Sequence, residues 1–320
     1  MEELVRVEVT ARWELAEGTA GFELAAVEGG RLPPFEAGAH IDVHLPGGLV
    51  RQYSLHDLPA DPPRYRIGVL REAQSRGGSA ALVDSVKVGD GLDISAPRNH
   101  FALDKSASRS ILMAGGIGIT PILCMAEQLS RERHPFELHY CGRTAARMAF
   151  VQRLLAADYA DVVRIHIDDG PQEQQLDAAA VIGPPDGGTH LYVCGPAGFM
   201  DHVLKTARDL GWKEPQLHRE YFAAAPIDHS CDGPFEIELK TSGRVIKVEA
   251  DKSAAEALHD AGIPIAVSCE QGVCGTCITR VAEGVPDHRD LYFTDAEHQR
   301  NDCFTPCCSR SRTPRLVLDL

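Results

Sequence analysis

The sequence Cys269-Glu-Gln-Gly-Val-Cys274-Gly-Thr-Cys277 is followed 30 residues later by Cys307. The spacing C-x4-C-x2-C with a distant fourth cysteine is the plant-type arrangement that ligates a [2Fe–2S] cluster. Glycines at 272 and 275 suit such a loop, because it must turn tightly and aim backbone N–H groups at the sulfur atoms. The four thiols therefore indicate that the chain moves electrons.

A structural zinc site is the competing interpretation of these cysteines. Zinc sites usually need two closely spaced ligand pairs, whereas here the first two cysteines are separated by four residues and no second pair follows. The spacing thus favours iron and sulfide. The fourth ligand needs a choice, because Cys303 and Cys308 lie near Cys307. The letters Thr-Pro-Cys307-Cys308-Ser-Arg resemble a C-[VC]-S-R ending whose first cysteine is the ligand, which assigns Cys307.

The composition indicates a multidomain globular protein. The chain has 320 residues, 44% of them hydrophobic and 24% charged, which is enough for two or three packed domains. A net charge of −14 and a pI near 5.4 argue against a nucleic-acid partner, for which a basic face is expected. No apolar stretch approaches the about 18 residues of a membrane span, and Met1-Glu2-Glu3 does not open a signal peptide. We expect a cytoplasmic protein without membrane association, whose ten cysteines are ligands or reduced core thiols.

Hydrophobic periodicity divides the chain into three parts and a linker. Short strands with frequent turn signals in residues 1–104 predict a small antiparallel β-barrel, and strand–helix alternation in residues 105–224 predicts a parallel α/β sheet. Residues 225–233 lack periodicity and are the predicted linker, and residues 234–320 have the element order of a β-grasp ferredoxin domain. The predicted strands are 4–9, 40–45, 50–55, 65–70, 92–95, 110–114, 136–141, 162–167, 191–194, 235–239 and 244–249, and the predicted helices are 121–130, 199–210 and 254–261.

A candidate flavin site lies in the first part. The strand segment Arg51-Gln52-Tyr53-Ser54 points Arg51 and Tyr53 to one face and Ser54 to the other. The segment Arg76-Gly77-Gly78-Ser79 precedes a short helical stretch, where small residues let backbone amides approach an anion. Either segment alone fits an ordinary strand or turn. Together they offer an aromatic and polar wall for a flavin ring and a positive cradle for its phosphate.

A candidate nucleotide site lies in the second part, where Gly115-Gly116-Ile117-Gly118-Ile119-Thr120-Pro121 joins a strand to a helix. The segment departs from the G-x-G-x-x-G fingerprint, since Pro121 stands at the third glycine, and a plain strand–turn–helix connection fits the same letters. We expect Thr120 to be the helix N-cap and Pro121 the first helical residue. A second strand-end loop at 193–200, VCGPAGFM, strengthens the nucleotide interpretation, because ligands of open α/β sheets bind at the carboxyl ends of strands.

Three side chains of the second part carry specific expectations. Cys194 ends a strand, where a cysteine is usually a small buried hydrophobe; beside a nicotinamide it would supply a compact, polarisable wall. Asp168 and Asp169 end another strand and either form a solvated turn or bind a ribose diol, in which case they would repel a 2′-phosphate and favour NADH over NADPH. The segment Arg143-Thr144 follows a neighbouring strand and could contact either a phosphate or the ribose, so it leaves the preference for NADH open.

The ordered set R-x-Y-S, G-G-x-G-x-T-P, C-G-P-x-G-F-M and C-x4-C-x2-C…C resembles the phthalate dioxygenase reductase family, including the reductases of vanillate O-demethylases. The resemblance covers essentially the whole chain. It implies a module like ferredoxin–NADP⁺ reductase fused to a ferredoxin domain, with FMN, NADH and one [2Fe–2S] cluster. Residue by residue, it implies FMN contacts at Arg51, Tyr53, Ser54, Gly77, Gly78 and Ser79, nicotinamide nucleotide contacts at Gly116, Thr120, Cys194 and Pro196, Phe222 beside the flavin ring, and cluster ligands at Cys269, Cys274, Cys277 and Cys307.

Electron counting fits these cofactors to one activity. NADH gives two electrons as a hydride and a [2Fe–2S] cluster accepts one, so the flavin must lie between them. The sequence contains no Rieske C-x-H…C-x2-H pair, and we therefore expect the terminal oxygenase to be a separate protein. The alternative function is a non-catalytic iron–sulfur carrier or redox sensor that does not turn over NADH. The oxygenase and its aromatic substrate cannot be deduced from these letters.

Overall fold

The computed structural model of the chain describes residues 4–27, 30–45, 48–59, 61, 63–72, 77–222, 224 and 227–320. The chain forms two compact units, Met1–Phe222 and Ala223–Leu320. The finer boundaries expected at residues 104 and 224 stay predictions, and part of the expected linker, with residues 225 and 226, lies outside the described residues. No helix in the described ranges combines the length and the hydropathy of a membrane-spanning segment.

An antiparallel sheet of six strands forms the first part of the larger unit. Its strands are β1 Val5–Ala16, β2 Thr19–Ala26, β3 His40–His44, β4 Val50–Ser54, β5 Tyr65–Leu70 and β6 Gly91–Ile94, with helix α1 Gly78–Ser85 after β5. The strand order is β4-β3-β6-β1-β2-β5. A bridge between Leu55 and Ile67 joins the two edges, and the sheet curls around a core that includes Phe22 and Ile41. The predicted barrel is confirmed.

A parallel sheet of five strands forms the second part of this unit, in the order β11-β10-β7-β8-β9. Its strands are β7 Arg109–Gly115, β8 Phe136–Gly142, β9 Val163–Ile167, β10 Thr189–Cys194 and β11 Leu217–Glu220; its helices are α2 Ile119–Glu132, α3 Val151–Leu155, α4 Ala178–Ile182 and α5 Ala197–Asp209. Short 3-10 turns occupy Gly116–Gly118, Ala145–Arg147, Ala160–Val162, Gln172–Gln174 and Glu214–Gln216. The predicted parallel α/β sheet is confirmed.

Alternating side chains of the central strand β7 bury both faces of the parallel sheet. Leu112 and Ala114 pack with helix α2 on one face. Ile111 and Met113 pack with helix α5 on the other. A strand that is apolar on both faces is what a parallel sheet covered by two helix layers requires.

Helix α2 begins earlier than predicted. The 3-10 turn Gly116–Gly118 leads directly into the helix, Gly118 is the N-cap, and Thr120 is the second helical residue. The expected capping role of Thr120 is therefore wrong: its hydroxyl donates to the carbonyl oxygen of Ile117 at 3.0 Å. Pro121 becomes the third helical residue, where its missing N–H costs nothing because the first four amides of a helix have no intrahelical acceptor.

The smaller unit is a mixed β-sheet with one packed helix. Its strands are β12 Phe235–Leu239, β13 Val245–Val248, β14 Thr279–Glu283, β15 Pro286–Asp287, β16 Cys303–Phe304, β17 Arg310–Ser311 and β18 Arg315–Leu318, and its helices are α6 Ala254–Asp260 and α7 Asp295–Arg300. The main order is β13-β12-β18-β14-β16, with β18 parallel to β12. Capping boxes at Ser253 and Thr294 begin the two helices. The predicted ferredoxin-type domain is confirmed.

Candidate cofactor and nucleotide sites

The parallel sheet has a topological switch point between β7 and β10. The chain runs outward from β7 to β8 and β9 on one side, then returns to place β10 and β11 on the other side. Ligands of open α/β sheets bind in the crevice at the carboxyl ends of the two strands that flank such a point. The loop Gly115–Gly118 after β7 and the loop that follows Cys194 after β10 both lie there. The two loops that sequence singled out are therefore brought together.

Glycine is required in both loops because their backbones touch. A Cβ on Gly118 would lie 2.3 Å from the carbonyl oxygen of Cys194, and a Cβ on Gly195 would lie 2.9 Å from the Cα of Gly115. Gly116 takes a positive φ of 53° with open space around its Cβ position, and Pro196 is the N-cap of α5. The glycines thus let the two backbones, and the ring of Phe199 beside them, pack closely, and they leave open space at Gly116, which suits the approach of a pyrophosphate.

Cys194 lies fully buried at the carboxyl end of β10, in the core cluster that contains Ala114 and Tyr192. Burial raises the pKa of its thiol well above the ordinary value, and the nearby Glu220 carboxylate raises it further. The side chain is therefore a neutral, polarisable thiol and not a thiolate nucleophile.

Glu220 links the barrel to the end of the parallel sheet. It is paired with Cys194 in the β10–β11 register. Its Oε2 accepts a hydrogen bond from Ser54 Oγ at 3.2 Å, and its Oε1 lies 3.6 Å from His40 Nδ1. Neither Glu220 nor His40 is among the predicted site residues. No local pattern could have found this group, because its members are up to 180 residues apart in the chain.

The predicted flavin phosphate cradle is assembled from strand β4 and helix α1. Gly77 takes φ 89°, a conformation that glycine adopts without strain. A Cβ on Gly78 would lie 2.5 Å from Cγ of Arg51, so the guanidinium-bearing side chain runs directly against the start of α1. A cation beside helix-start amides is an arrangement that suits a phosphate. Arg76, which sequence also placed here, lies outside the described residues.

The remaining predicted flavin contacts, Tyr53, Ser79 and Phe222, differ in environment. Burial raises the pKa of Tyr53, so its phenol stays neutral, while Arg51 acts in the opposite direction. Ser79 Oγ accepts a hydrogen bond from the amide of Glu72 at 3.1 Å. Phe222 is 40% exposed just after β11. An exposed large aromatic side chain is available to cover a ring, and its role beside a flavin stays a prediction.

Asp168 follows β9, which lies two strand positions from the central strand β7. Asp168 is thus roughly 10 Å from the centre of the sheet. It is exposed, and its amide donates to the carbonyl oxygen of Gly142 at 2.9 Å. The amide of Asp169 donates to the carbonyl oxygen of Arg143 at 3.2 Å. The acidic and basic candidates for the ribose end therefore lie on adjacent loops at the carboxyl edge of the sheet.

Three of the predicted cluster cysteines are nearly fully buried in one loop of the smaller unit. The thiol of Cys269 interacts with those of Cys274 and Cys307, and the thiol of Cys307 interacts with that of Cys277, so the four sulfur atoms face one another. The amides of Gln271 and Thr276 donate to the sulfur atoms of Cys269 and Cys274 at 3.4 and 3.5 Å. Amides aimed at thiolates are the environment that an iron–sulfur cluster needs.

The geometry distinguishes Cys307 from its neighbours. The thiol of Cys307 interacts with those of Cys269 and Cys277. The thiol of Cys308 interacts with that of Cys307, and its sulfur lies 3.3 Å from Thr305 Oγ1 and 3.9 Å from Ser309 Oγ. Cys303 lies on strand β16. The choice of Cys307 as the fourth ligand is the one that this arrangement supports.

Comparisons with known proteins agree with these sites. A family model described as 2Fe-2S iron-sulfur cluster binding domain matches residues 237–312, and one described as dimethylamine monooxygenase subunit DmmA-like, N-terminal domain, matches residues 95–217. The chain is 55% identical to the vanillate O-demethylase oxidoreductase of Pseudomonas putida over 98% of each chain, and 38% identical to the phthalate dioxygenase reductase of Burkholderia cepacia over 99% of this chain and 97% of the relative.

One solved structure resembles the whole chain. It is described as phthalate dioxygenase reductase, a modular structure for electron transfer from pyridine nucleotides to [2Fe-2S]. The two share 37% sequence identity with a TM-score of 0.76, and the match covers 99% of this chain and 98% of the other.

Proposed function

The chain belongs to the phthalate dioxygenase reductase family, which includes the vanillate O-demethylase oxidoreductases, and we propose that it passes electrons from NADH through FMN and a [2Fe–2S] cluster to a separate Rieske-type terminal oxygenase. The predicted reductase activity and cofactors agree with the relatives. A non-catalytic carrier or sensor is less consistent with them, because the relatives are named as reductases and oxidoreductases.

The ring of four cysteine thiols is the observation that carries this proposal. These side chains are mostly buried, face one another and receive backbone N–H groups, which fits a [2Fe–2S] cluster held by thiolates. The Arg51 side chain against the start of α1 fits an anionic phosphate in the same way. When bound, the three cofactors supply hydride donation, separation of the electron pair and one-electron transfer.

The protein's own residues provide binding and orientation. The glycine loops after β7 and β10 hold the nucleotide by backbone contact, with open space at Gly116. The neutral Cys194 thiol forms an apolar wall at the end of β10, while Glu220 fixes the hydroxyl of Ser54. No general acid or base is needed, since hydride transfer releases no proton from the protein.

The cofactor content of the purified protein tests the proposal directly. We expect two irons, two acid-labile sulfides and one flavin per chain, and we expect NADH to bleach both the flavin and the cluster under anaerobic conditions. Zinc in place of iron, or a flavin that NADH leaves oxidised, would contradict the proposal. Heat-released flavin identified by chromatography distinguishes FMN from FAD.

Sequence identity to the relatives also indicates which class of oxygenase is the electron acceptor. The vanillate O-demethylase relatives from Pseudomonas putida and Acinetobacter baylyi are 55% and 47% identical to the chain, against 38% for the phthalate dioxygenase reductase. We therefore propose an oxygenase that demethylates a methoxylated aromatic acid such as vanillate. Coupling to a vanillate O-demethylase oxygenase should exceed coupling to a phthalate dioxygenase oxygenase, measured as product formed per NADH consumed.

Replacing Cys194 by alanine should slow reduction of the flavin by NADH about tenfold. Poorer alignment of the nicotinamide that raises the activation free energy by about 1.4 kcal/mol is enough for a tenfold lower rate. If the thiol only fills the core, the substitution lowers the free energy of unfolding by about 1 kcal/mol and leaves the rate of flavin reduction unchanged. Stopped-flow reduction at saturating NADH measures the step. Cys124→Ala is the matched control, since Cys124 is equally buried in the same core but lies on α2. A wild-type rate in Cys194→Ala would return this residue to a packing role.

Replacing Asp168 by alanine should lower kcat/KM for NADH about tenfold and affect NADPH much less, because a hydrogen bond from a ribose diol to a carboxylate contributes about 1.5 kcal/mol. The wild-type protein should prefer NADH for the same reason. Steady-state kinetics with both nucleotides decide this. Asp161→Ala is the control, since Asp161 is exposed at the opposite end of β9. Equal kcat/KM values of the wild-type protein for NADH and NADPH would refute the role of Asp168.

A further inference from the structure

We propose that His288, Asp290 and His298 of the smaller unit form a binding site for one divalent transition-metal ion, of which Zn²⁺ is the best fit, separate from the four cluster cysteines. One imidazole nitrogen from each histidine and one carboxylate oxygen lie within 4.8 Å of one another. The proposal concerns a second inorganic site and does not depend on the electron-transfer function.

The ligand distances suit a small ion. His298 Nε2 lies 3.2 Å from Asp290 Oδ2, and His288 Nδ1 lies 3.7 Å from Asp290 Oδ1. Zinc bonds of about 2.0–2.2 Å in a tetrahedral site place neighbouring ligand atoms about 3.3 Å apart. The two imidazole rings lie 4.4 Å apart between centroids. The two histidine–carboxylate separations are thus within about 0.4 Å of the zinc spacing, and the two imidazole nitrogens lie within 4.8 Å of each other.

The buried side chain of His288 indicates that this group lacks a ligand. Its side chain is only 8% exposed; the Asn301 side chain interacts with the ring, whereas Nδ1, 3.7 Å from Asp290 Oδ1, has no hydrogen-bond partner among the described residues. Its Nδ1 is therefore available to an ion that Asp290 also binds. A neutral imidazole is the form that binds metals. A histidine present only for packing would not account for a buried Nδ1 that is unused beside a carboxylate.

Asp290 is held in place as a metal-binding carboxylate would be. Its side chain is fully buried. The backbone amide of Phe293 donates to Oδ2 at 2.9 Å, and the hydroxyl groups of Thr305 and Ser309 lie 3.3 and 3.4 Å from Oδ1. Such outer partners fix the orientation of ligating carboxylates in metal sites.

The third ligand, His298, is held by a short helix and is partly open to solvent. His298 lies on helix α7, whose start is set by the Thr294–Glu297 capping box. Its side chain is 23% exposed, so the group can be reached from solvent on that side. Two imidazoles and one carboxylate without a thiol favour zinc or a neighbouring transition metal, and disfavour magnesium and calcium, which prefer oxygen ligands.

A second group with the same residue types, Asp104, His190 and His218, provides the internal comparison. There His190 Nδ1 lies 2.8 Å from His218 Nε2, so the two imidazoles satisfy each other directly. No unused nitrogen of that group points to an absent ligand. His218→Ala is therefore a matched control for the variants of the proposed site.

Equilibrium dialysis of the purified holoprotein tests the proposal. The protein is washed with a chelator, dialysed against micromolar Zn²⁺, and analysed for zinc, iron, sulfide and flavin. We expect one zinc per chain with unchanged iron, sulfide and flavin, and an affinity at least tenfold lower in His288→Ala and in His298→Ala. His218→Ala should bind as the wild type does.

A stability measurement keeps the test decisive if His288→Ala does not fold. Zn²⁺ should raise the temperature at which the cluster absorbance of the wild-type protein is lost, because an ion that binds only the folded state stabilises it. The partly exposed His298→Gln variant should lose that response. Absence of stoichiometric zinc in the wild-type protein, or equal zinc binding by wild type and both histidine variants, would overturn the proposal.

Discussion

Replacing Cys274 by serine should remove the visible absorption of the [2Fe–2S] cluster and abolish electron delivery to the oxygenase, while NADH still reduces the flavin and a dye. Cys274 is 5% exposed and faces the other cluster thiols. A hydroxyl is a much poorer ligand for iron than a thiolate. Hydride transfer uses only the larger unit, so the early step should survive. Iron and sulfide analysis with visible spectroscopy measures the loss, and dye reduction by NADH measures the step that remains.

Cys308→Ser is the matched control for this experiment. Its thiol contacts Thr305 and Ser309 as well as the Cys307 thiol, so a serine can keep the same polar contacts and the cluster should persist. Loss of the cluster in Cys308→Ser with retention in Cys307→Ser would show that the fourth ligand is assigned to the wrong cysteine. Loss of dye reduction in a folded Cys274→Ser protein would contradict the separation of the two steps.

Replacing Gly118 by alanine should produce the largest effect in the nucleotide crevice. The new Cβ would lie 2.3 Å from the backbone oxygen of Cys194, so the two loops must move apart. Overpacking against backbone costs about 1–3 kcal/mol of stability. A displacement of about 1 Å at the reacting groups can slow a reaction about a hundredfold. We therefore expect a lower unfolding midpoint and about a hundredfold slower flavin reduction by NADH in stopped-flow experiments.

Gly198→Ala separates this effect from a general intolerance to side chains. Gly198 is the second residue of α5, and its Cβ position has no neighbour within 4 Å. Alanine there should be neutral or stabilise the protein by up to about 1 kcal/mol, because it favours the helix. A Gly118→Ala protein that binds and oxidises NADH as the wild type does would contradict the proposed contact between the two loops.

Elements with clear periodicity were predictable from the sequence, and elements shaped by tertiary contacts were not. Strands β5 and β12 lie where their apolar patterns predict. Strand β2, Thr19–Ala26, was missed because it is buried on both faces and its letters TAGFELAA contain few β-branched residues, so neither alternation nor propensity identifies it. The start of α2 was misplaced by two residues, since the 3-10 turn at Gly116–Gly118 replaces a side-chain cap.

The candidate sites show the same division. The cysteine loop and the glycine loops are continuous in sequence, so spacing and turn chemistry identify them. The contacts of Glu220 with Ser54 and His40 depend on how the barrel meets the parallel sheet, which no local pattern encodes. The orphaned His288 is likewise visible only in the fold, because an unused buried nitrogen is defined by its surroundings and not by its own letters.

The position of strand β18 sets an order of events during protein synthesis. This strand, Arg315–Leu318, lies at the middle of the sheet in the smaller unit, between β12 and β14. The larger unit is complete at Phe222, about a hundred residues before the ribosome reaches β18, and at about 5–20 residues per second that interval lasts roughly 5–20 s. All four cluster cysteines are translated before the strand that closes their sheet. We therefore expect the larger unit to fold on the nascent chain before the sheet that carries the four thiols can close.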